Sequence, residues 1–559
     1  MRPLDLPIGI ENYKEATKKY YIDKTLMIRD LIERGEGKAV LLTRPRRFGK
    51  SLALSMVDYF FSLKEDARPL FEDKEIYQAG DYVLAKMNRY PVIHFNMKGI
   101  EESPSTSILE RTKDRIYLLY REYPELLESP NLTDVDRKEF AAIYHKTADD
   151  VLLISSLERL TRFLYKHYGE KVVLLIDEYD SPIESAYENG RFDEVIGFFK
   201  PFYGDALKGN DYLYFALISG VLQISKESLF SGLNNLLVSS IGSVFLSRYF
   251  GFSEAEVEKL LADYGIPLEY RTISSYYGGY RLPTGEEICN PWSILNFVEE
   301  RKLKPYWANT GSNELLLDVI GQERSGTTLL EFLNNASMKA PFHPAISYKD
   351  MGENAGMSLS FLAQAGYLTI QGDSDSFAED VYEYRIPNQE IYDIFRLEIL
   401  GRYVPNEDMA TALRLKGAIV ERKDEEISVI LNEYLLSSFS CFDLKDERNY
   451  HNAVTGLLSV LFDRYVVKNE IQTGLGRCDI LMVPKKVGEV GIVIEIKKTK
   501  AQNQLSKSRL SALAKQAIKQ IKKKDYPEIL RKSGCKTIYL FGFAFQNKVS
   551  AIASEEIAE

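Results

Sequence analysis

Short, uninterrupted apolar runs that end in turns constrain this chain more than any other feature. KAVLLT (38–43), PVIHFNM (91–97), KVVLLIDEY (171–179) and DYLYFALISG (211–220) are separated by helical patterns over about 49–63, 105–123 and 150–168. A strand that is apolar on both faces has to be covered on both faces. Strand–helix alternation of this kind predicts an α/β fold, a parallel sheet between two layers of helices, over the first three hundred residues.

The pattern then changes. Between about 310 and 405, helical segments precede LAQAGYLTI, an acidic loop QGDSDSFAED, and VYEYRIPN. Helices followed by a two-stranded hairpin predict a winged-helix-like connector, and its acidity favours joining domains over contacting DNA. From about 425, YHNAVTGLLSVLFDRY reads as an amphipathic helix. Three strands follow, YVVKNEIQTG, RCDILMVPKK and VGIVIEIKKTK, then a basic helix over 505–524 and a last strand, KTIYLFGFAF. The expected domains are 1–305, 306–410 and 411–559. A chain of 559 residues exceeds one ordinary core in any case.

Charge and composition exclude several classes. The four cysteines are scattered with no C-x-x-C pair, and the five histidines form no H-x-x-x-H, so neither a disulfide framework nor a zinc site is indicated. The start has no apolar core of signal-peptide length and no run is long enough to cross a bilayer, so a cytoplasmic, membrane-free protein is expected. The net charge of −10 argues against a surface coated for nucleic acid. Yet Lys497–Lys536 holds thirteen Lys and Arg against Asp525 and Glu528. That is either a solvated helix face or a surface for a phosphate backbone.

Two groups of residues carry chemistry. In AVLLTRPRRFGKSL, an apolar strand feeds a turn ending in Gly49-Lys50-Ser51 at a helix start. Backbone N–H groups there can surround phosphates, with Lys50 reaching the β- and γ-phosphates and the Ser51 hydroxyl binding Mg²⁺. VVLLIDEYD supplies the second half: Asp177 for the magnesium shell and Glu178 to orient and deprotonate water. In the C-terminal unit, Asp479 begins one strand and Glu495 and Lys497 lie two apart on the next. A period of two puts Glu495 and Lys497 on one face. Two carboxylates with the Ile496 carbonyl form a hard-oxygen site for Mg²⁺ or Mn²⁺, and Lys497 can position water beside it. Each motif alone also reads as a basic turn or a solvated strand face.

IGIENYKEATKKYYIDKTLMI, LLTRPRRFGKSL, VVLLIDEYDSPI, YYGGYRL…CNPWSIL and YWANTGSN together closely resemble the AAA-ATPase-like family of bacterial and archaeal proteins, whose members carry a C-terminal PD-(D/E)XK nuclease superfamily domain. The resemblance covers nearly the whole chain. It implies a P-loop ATPase domain with a helical lid and a restriction-endonuclease-like α/β domain. It also implies that the first thirty residues pack near the nucleotide, and that Arg44 in the first glycine's slot is the family's ordinary loop. The loop from Arg44 through Arg46, Arg47, Phe48, Gly49, Lys50 and Ser51 to Leu52 is then the ATP or ADP site, leaning on guanidinium charge. In the family's Thr-Gly-Val-Thr-Arg segment this chain reads SGVLQ: Ser219 keeps a polar γ-phosphate sensor, while Gln223 stands where the arginine falls. Either Arg46 or Arg47 substitutes, or hydrolysis is slow; slow hydrolysis is the expectation. In the nuclease-like domain the resemblance adds Gln520 on the basic helix and Glu447 on the first helix, and it puts Gln472 where an acidic group is common. His451, Trp292 and Trp307 read as core. DNA or RNA are the candidate partners, and an oligomer is compatible with the family. The leading expectation is a nucleotide-hydrolysing protein with a metal-dependent nuclease. The rivals are a non-catalytic nucleotide-gated switch and a P-loop phosphotransferase.

Overall fold

A computed structural model describes residues 4–224, 229–230, 233–307, 337–346, 355–372, 381–395, 409–438, 447–458, 461, 464–473, 476–486, 488–499 and 505–558. Ser225 and Lys226 of the strand-four segment, ANTGSN at 308–313 and most of the acidic loop lie outside these residues, as do the side chains of Glu447 and Gln472. The chain divides into two compact units, 1–325 with 339–391, and 326–338 with 392–559.

The first unit is built on β1 (Ala39–Thr43), β2 (Val92–Asn96), β3 (Val172–Asp177), β4 (Leu213–Gly220) and β5 (Leu236–Ser239). All pairings are parallel, in the order β2-β3-β4-β1-β5. β1, β3 and β4 are buried at every position, which is why their sequences show no alternation. The four expected strands are present within two residues of their expected limits. β5 was not expected: four residues beside polar neighbours carry too weak a signal to stand out. The sheet order sets β4 between β3 and β1. The carboxyl ends of these three strands therefore form one rim, where ligands bind in open parallel sheets.

Helix α1 (Lys50–Phe61) leaves that rim directly after β1. Residues of the segment 13–32 join the sheet's hydrophobic core, while 252–298 form a separate core with Leu6 and Tyr306; Ser253 caps the helix Glu254–Asp263, its hydroxyl accepting from the Glu256 amide. Helix α2 (Ser181–Glu188) follows β3, and helix α3 (Pro291–Glu300) closes the lid-like cluster. Helix α4 (Ala355–Ala365) precedes an antiparallel hairpin of β6 (Thr369–Gly372) and β7 (Val381–Arg385). This helix–hairpin module sits on the phosphate-loop side of the unit. Gly366, at φ +95°, lies so close to Pro45 that a Cβ there would come within 2.6 Å of its ring, so only glycine fits. The Trp307 indole donates to the Arg46 carbonyl (3.2 Å).

Glu390 locks that module. Its carboxylate accepts from Ser293 Oγ and from the Trp307 amide, both at 2.8 Å. Burial nevertheless pushes the carboxyl up from 4.5 to about 7. The folded chain thus keeps a proton that the unfolded chain releases near pH 4.5. Stability from this group is complete below that pH and is lost as pH rises through about 7. Glu390→Gln is expected to raise the thermal midpoint at pH 8 and change it little at pH 5. A lower midpoint at pH 8 would contradict this account.

The second unit holds β8 (Tyr465–Thr473), β9 (Gly476–Pro484), β10 (Gly491–Lys498), β11 (Thr537–Gln546) and β12 (Val549–Ala558), paired in that order. Only β10–β11 is parallel. Helices over Met409–Val420, Asp424–Ser438 and Glu528–Lys532, with α5 (Glu447–Leu458) and α6 (Lys507–Lys523), pack with it, and β12 extends it beyond the last expected strand. No helix among the described residues is long and apolar enough to cross a membrane.

Candidate functional site

The phosphate-type loop is held from inside. Lys50 is buried, and its Nζ donates to the carbonyls of Arg44 (2.9 Å) and Pro45 (3.0 Å). Burial pulls its ammonium down to about 8. Arg47 (φ +68°) and Gly49 (φ +87°) take left-handed backbone, which bends the loop around the lysine and starts α1. A cleft of about 800 Å³ opens over it. Its walls include Arg46 to Ala53, Glu178, Asp180 and Glu184, the N-terminal Gly9, Ile10 and Tyr21, and Trp292. The expectation that the first thirty residues pack near this site agrees with that lining.

Arg44 is corrected by the structure. The residue is 4% exposed, with its guanidinium turned toward β5. Nη1 donates to the carbonyls of Thr43 and Ser239 (both 2.7 Å), Nη2 donates to Ser239 Oγ (3.1 Å), and the group lies over the Phe250 ring. It lies outside the cleft wall and ties the loop to β5, so it offers no charge to a phosphate. Arg44→Ala is expected to lower stability by about 2–3 kcal/mol, the cost of stranding buried acceptors. The check is denaturant unfolding of both chains; an unchanged midpoint would refute the structural role.

The other loop arginines diverge. Arg47 stacks over Trp292 at 4.4 Å; that indole packs against the core of the 252–306 segment, as expected, and also forms part of the cleft wall. Arg46 pairs with Glu184 on α2 (2.8 Å). Phe48 is buried against Tyr280, and both it and Leu52 line the cleft. Trp307 is buried, as expected of a core residue.

The sheet order brings Asp177 beside Ser219. Asp177 is buried and accepts from Ser219 Oγ and from the Glu178 amide (3.1 Å). The Ser219 hydroxyl is therefore engaged with Asp177 and fully buried, a correction to its reading as a direct phosphate sensor. Glu178 has φ +55°, an uncommon conformation for a residue with a side chain, and faces the cleft. Burial, then the neighbouring Asp177, raise its carboxyl above the ordinary range. Ser51 and Asp177 both line a second, polar cavity of about 360 Å³, with Asp58 and His94 on its wall. A hydroxyl and a carboxylate facing one space are the hard-oxygen donors that Mg²⁺ takes, so this pair fits the ion.

Sequence reasoning missed three participants here. Asp180 Oδ2 accepts from the amides of Val221 (2.7 Å) and Leu222 (2.8 Å), stapling the end of β4 to the turn after β3. The second Asp of DEYD was the only hint. Glu184, one helical turn later, had no signal beyond its spacing. His94 Nδ1 pairs with Asp58 (3.1 Å) across two elements far apart in sequence. Gln223 is buried outside the cleft lining; its backbone N–H donates to Gln364 Oε1 on α4 (2.8 Å) and its side-chain Oε1 has no partner.

In the second unit Asp479, Glu495, Lys497 and Gln520 converge. The register of β9 and β10 ends at Ile480–Ile494, one step before Asp479 and Glu495. Asp479 Oδ2 accepts from the Ile496 amide (2.7 Å). A residue's N–H and C=O leave an extended strand on the same side, so the Ile496 carbonyl is also directed toward the Asp479 side. Glu495 is buried, and its Oε1 accepts from Lys497 Nζ (2.9 Å) and from Gln520 Nε2. Its Oε2 is buried without a partner. Burial, then Asp479, push this carboxyl up to about 7. Gln520 reaches it because α6 lies tight on β11: at Gly542, paired with Glu495, a Cβ would fall 2.0 Å from the Ala514 carbonyl. His451 Nε2 contacts the Asp479 carbonyl (3.0 Å), so this histidine positions the Asp479 backbone. Among the described residues no three His, Cys, Asp or Glu side chains gather as a metal-binding group. The donor set is two carboxylates and a carbonyl, and the unpartnered Glu495 oxygen fits it to a divalent ion.

Comparison with known proteins follows the same division. Residues 7–230 match the AAA-ATPase-like family, described as predicted AAA-ATPase, and 445–555 match the PD-(D/E)XK nuclease superfamily. Over 424 residues the chain is 30% identical to an uncharacterized protein in the vnfD 5′ region of Azotobacter chroococcum mcd 1, spanning 74% of this chain and 73% of that protein.

Proposed function

Because the chain belongs to the family of AAA-ATPase-like proteins with a PD-(D/E)XK nuclease superfamily domain, we propose that it binds ATP with Mg²⁺ in the 800 Å³ cleft, hydrolyses it slowly, and cuts nucleic acid with its C-terminal unit. In the cleft, Lys50 and the loop amides hold the phosphates. Ser51, which lines both the cleft and the smaller cavity, and Asp177 on that smaller cavity would hold the ion, which supplies charge neutralisation when bound. Glu178 takes the proton of the attacking water. Its raised pKa brings it closer to the working pH of a general base.

In the second unit Asp479, Glu495 and the Ile496 carbonyl would hold Mg²⁺ or Mn²⁺, whose chemistry there is Lewis-acid activation of the phosphodiester. Lys497 orients the attacking water, and Gln520 fixes Glu495. The basic face of α6 is suited to a DNA or RNA backbone. The observation that carries this reading is the buried, unpartnered Glu495 oxygen inside a cluster with Asp479 and Lys497. A buried acceptor with no donor is costly, and a cation removes that cost.

The competing reading is a nucleotide-gated switch without catalysis, favoured by Gln223 standing where the family resemblance expects arginine. Purified chain incubated with DNA or RNA and Mg²⁺ or Mn²⁺, with ATP turnover measured in parallel, separates them. Cleavage supports the nuclease reading. Nucleotide binding with neither turnover nor cleavage supports the switch.

A further inference from the structure

Three arginines stand in the loop, and the fold sends each in a different direction. Arg44 is consumed by β5. Arg47 lies on the indole of Trp292, on the lid side. Arg46 alone is directed to α2, the helix that leaves the Asp177–Glu178 turn, and it shares the cleft wall with Lys50, Glu178 and Gly220. Its side chain is 36% exposed, against 12% for its partner Glu184. Nη2 of the guanidinium is thus held by Glu184, while the half-buried side chain as a whole lines the cleft. Gln223 meanwhile lies outside the cleft wall, with its backbone N–H on Gln364 Oε1.

We infer that Arg46, held by Glu184, is the guanidinium that meets the terminal phosphoryl group of the bound nucleotide, replacing the arginine whose place Gln223 occupies. The inference rests on the ATPase reading above and deepens it. A guanidinium offers several donors in a planar fork, so it can keep one bond to Glu184 and present others to phosphoryl oxygens. Charge built up on those oxygens as the bond to the leaving group breaks is then met without reorganisation. Glu184 is the positioning residue. Its carboxylate faces the same cleft as the phosphates, where an unpaired anion would repel them. Arg46 therefore has two separable effects: it cancels Glu184 for binding, and it stabilises the transition state for turnover.

A double-mutant cycle separates the two, using steady-state ATP hydrolysis and binding of a fluorescent ATP analogue. Arg46→Ala is expected to weaken binding and to lower kcat at least about 100-fold, since arginines supplied to phosphoryl transfer are worth ~10³–10⁵. Arg46→Lys, which keeps charge and loses the fork, should recover only part of kcat. Arg46→Ala combined with Glu184→Gln should restore binding to within about threefold of the parent while kcat stays low. Recovery of kcat in the double variant would overturn the inference, because Arg46 would then only neutralise Glu184. An Arg46→Ala chain with parental kcat would overturn it too while leaving the ATPase reading intact. Failure of the parent chain to bind the analogue would overturn the ATPase reading and the inference together.

Discussion

Glu495→Ala is expected to abolish divalent-dependent cleavage of DNA or RNA, with a loss of at least about 100-fold. Replacing a partner one step removed from a metal typically costs 10–100-fold, so losing a direct ligand costs more. The substitution also removes the acceptor that holds Lys497 and Gln520, so the ammonium proposed to position water is released at the same stroke. Folding should not suffer with Glu495→Gln, because that change takes a desolvated carboxyl out of the interior and keeps an oxygen for Lys497. The test is a cleavage time course in Mg²⁺ and in Mn²⁺ for parent and both variants, with thermal melting alongside. Cleavage at the parental rate by a well-folded Glu495→Ala chain would refute the nuclease assignment.

Lys50→Ala is expected to eliminate ATP turnover, by on the order of 10²–10³-fold or more, the scale for losing one preorganised donor to developing charge. The argument is stronger here than for a surface lysine. Lys50 is enclosed by its own loop, and its ammonium donates to two loop carbonyls. Alanine removes the cation and strands those carbonyls, so the loop loses both its charge and the group it is wrapped around. Turnover should be lost with and without DNA present, while Glu495-dependent cleavage measured without nucleotide should persist. Retained hydrolysis in Lys50→Ala would place the nucleotide elsewhere.

Much of this molecule was legible because its signals are local. The strand–loop–helix of 38–61 and the strand ending in Asp177 announce themselves through apolar runs and turn chemistry, and a period of two placed Glu495 beside Lys497. The misreadings share one cause, contact between segments distant in sequence. Arg44 was read as a phosphate ligand from the family resemblance, and β5, which supplies its acceptors, was not recognised. Once Leu236–Ser239 pairs with β1, Ser239 offers a carbonyl and a hydroxyl within 3.1 Å, and a buried cation takes them. Ser219 was read as a sensor because its neighbour was unknown; β4 beside β3 gives it Asp177.

By itself the sequence determined the α/β class and singled out the two clusters of polar residues proposed as sites. These follow from which side chains alternate, which glycines permit a turn and which charges sit at strand ends, all properties of a few neighbouring residues. Only the tertiary structure decided where the three loop arginines point, that Glu184 holds Arg46, and that Gln520 closes on Glu495. A side chain's direction depends on the nearest acceptor in space. In the interior an arginine or a carboxylate cannot remain without one, so the fold assigns partners that no local pattern records.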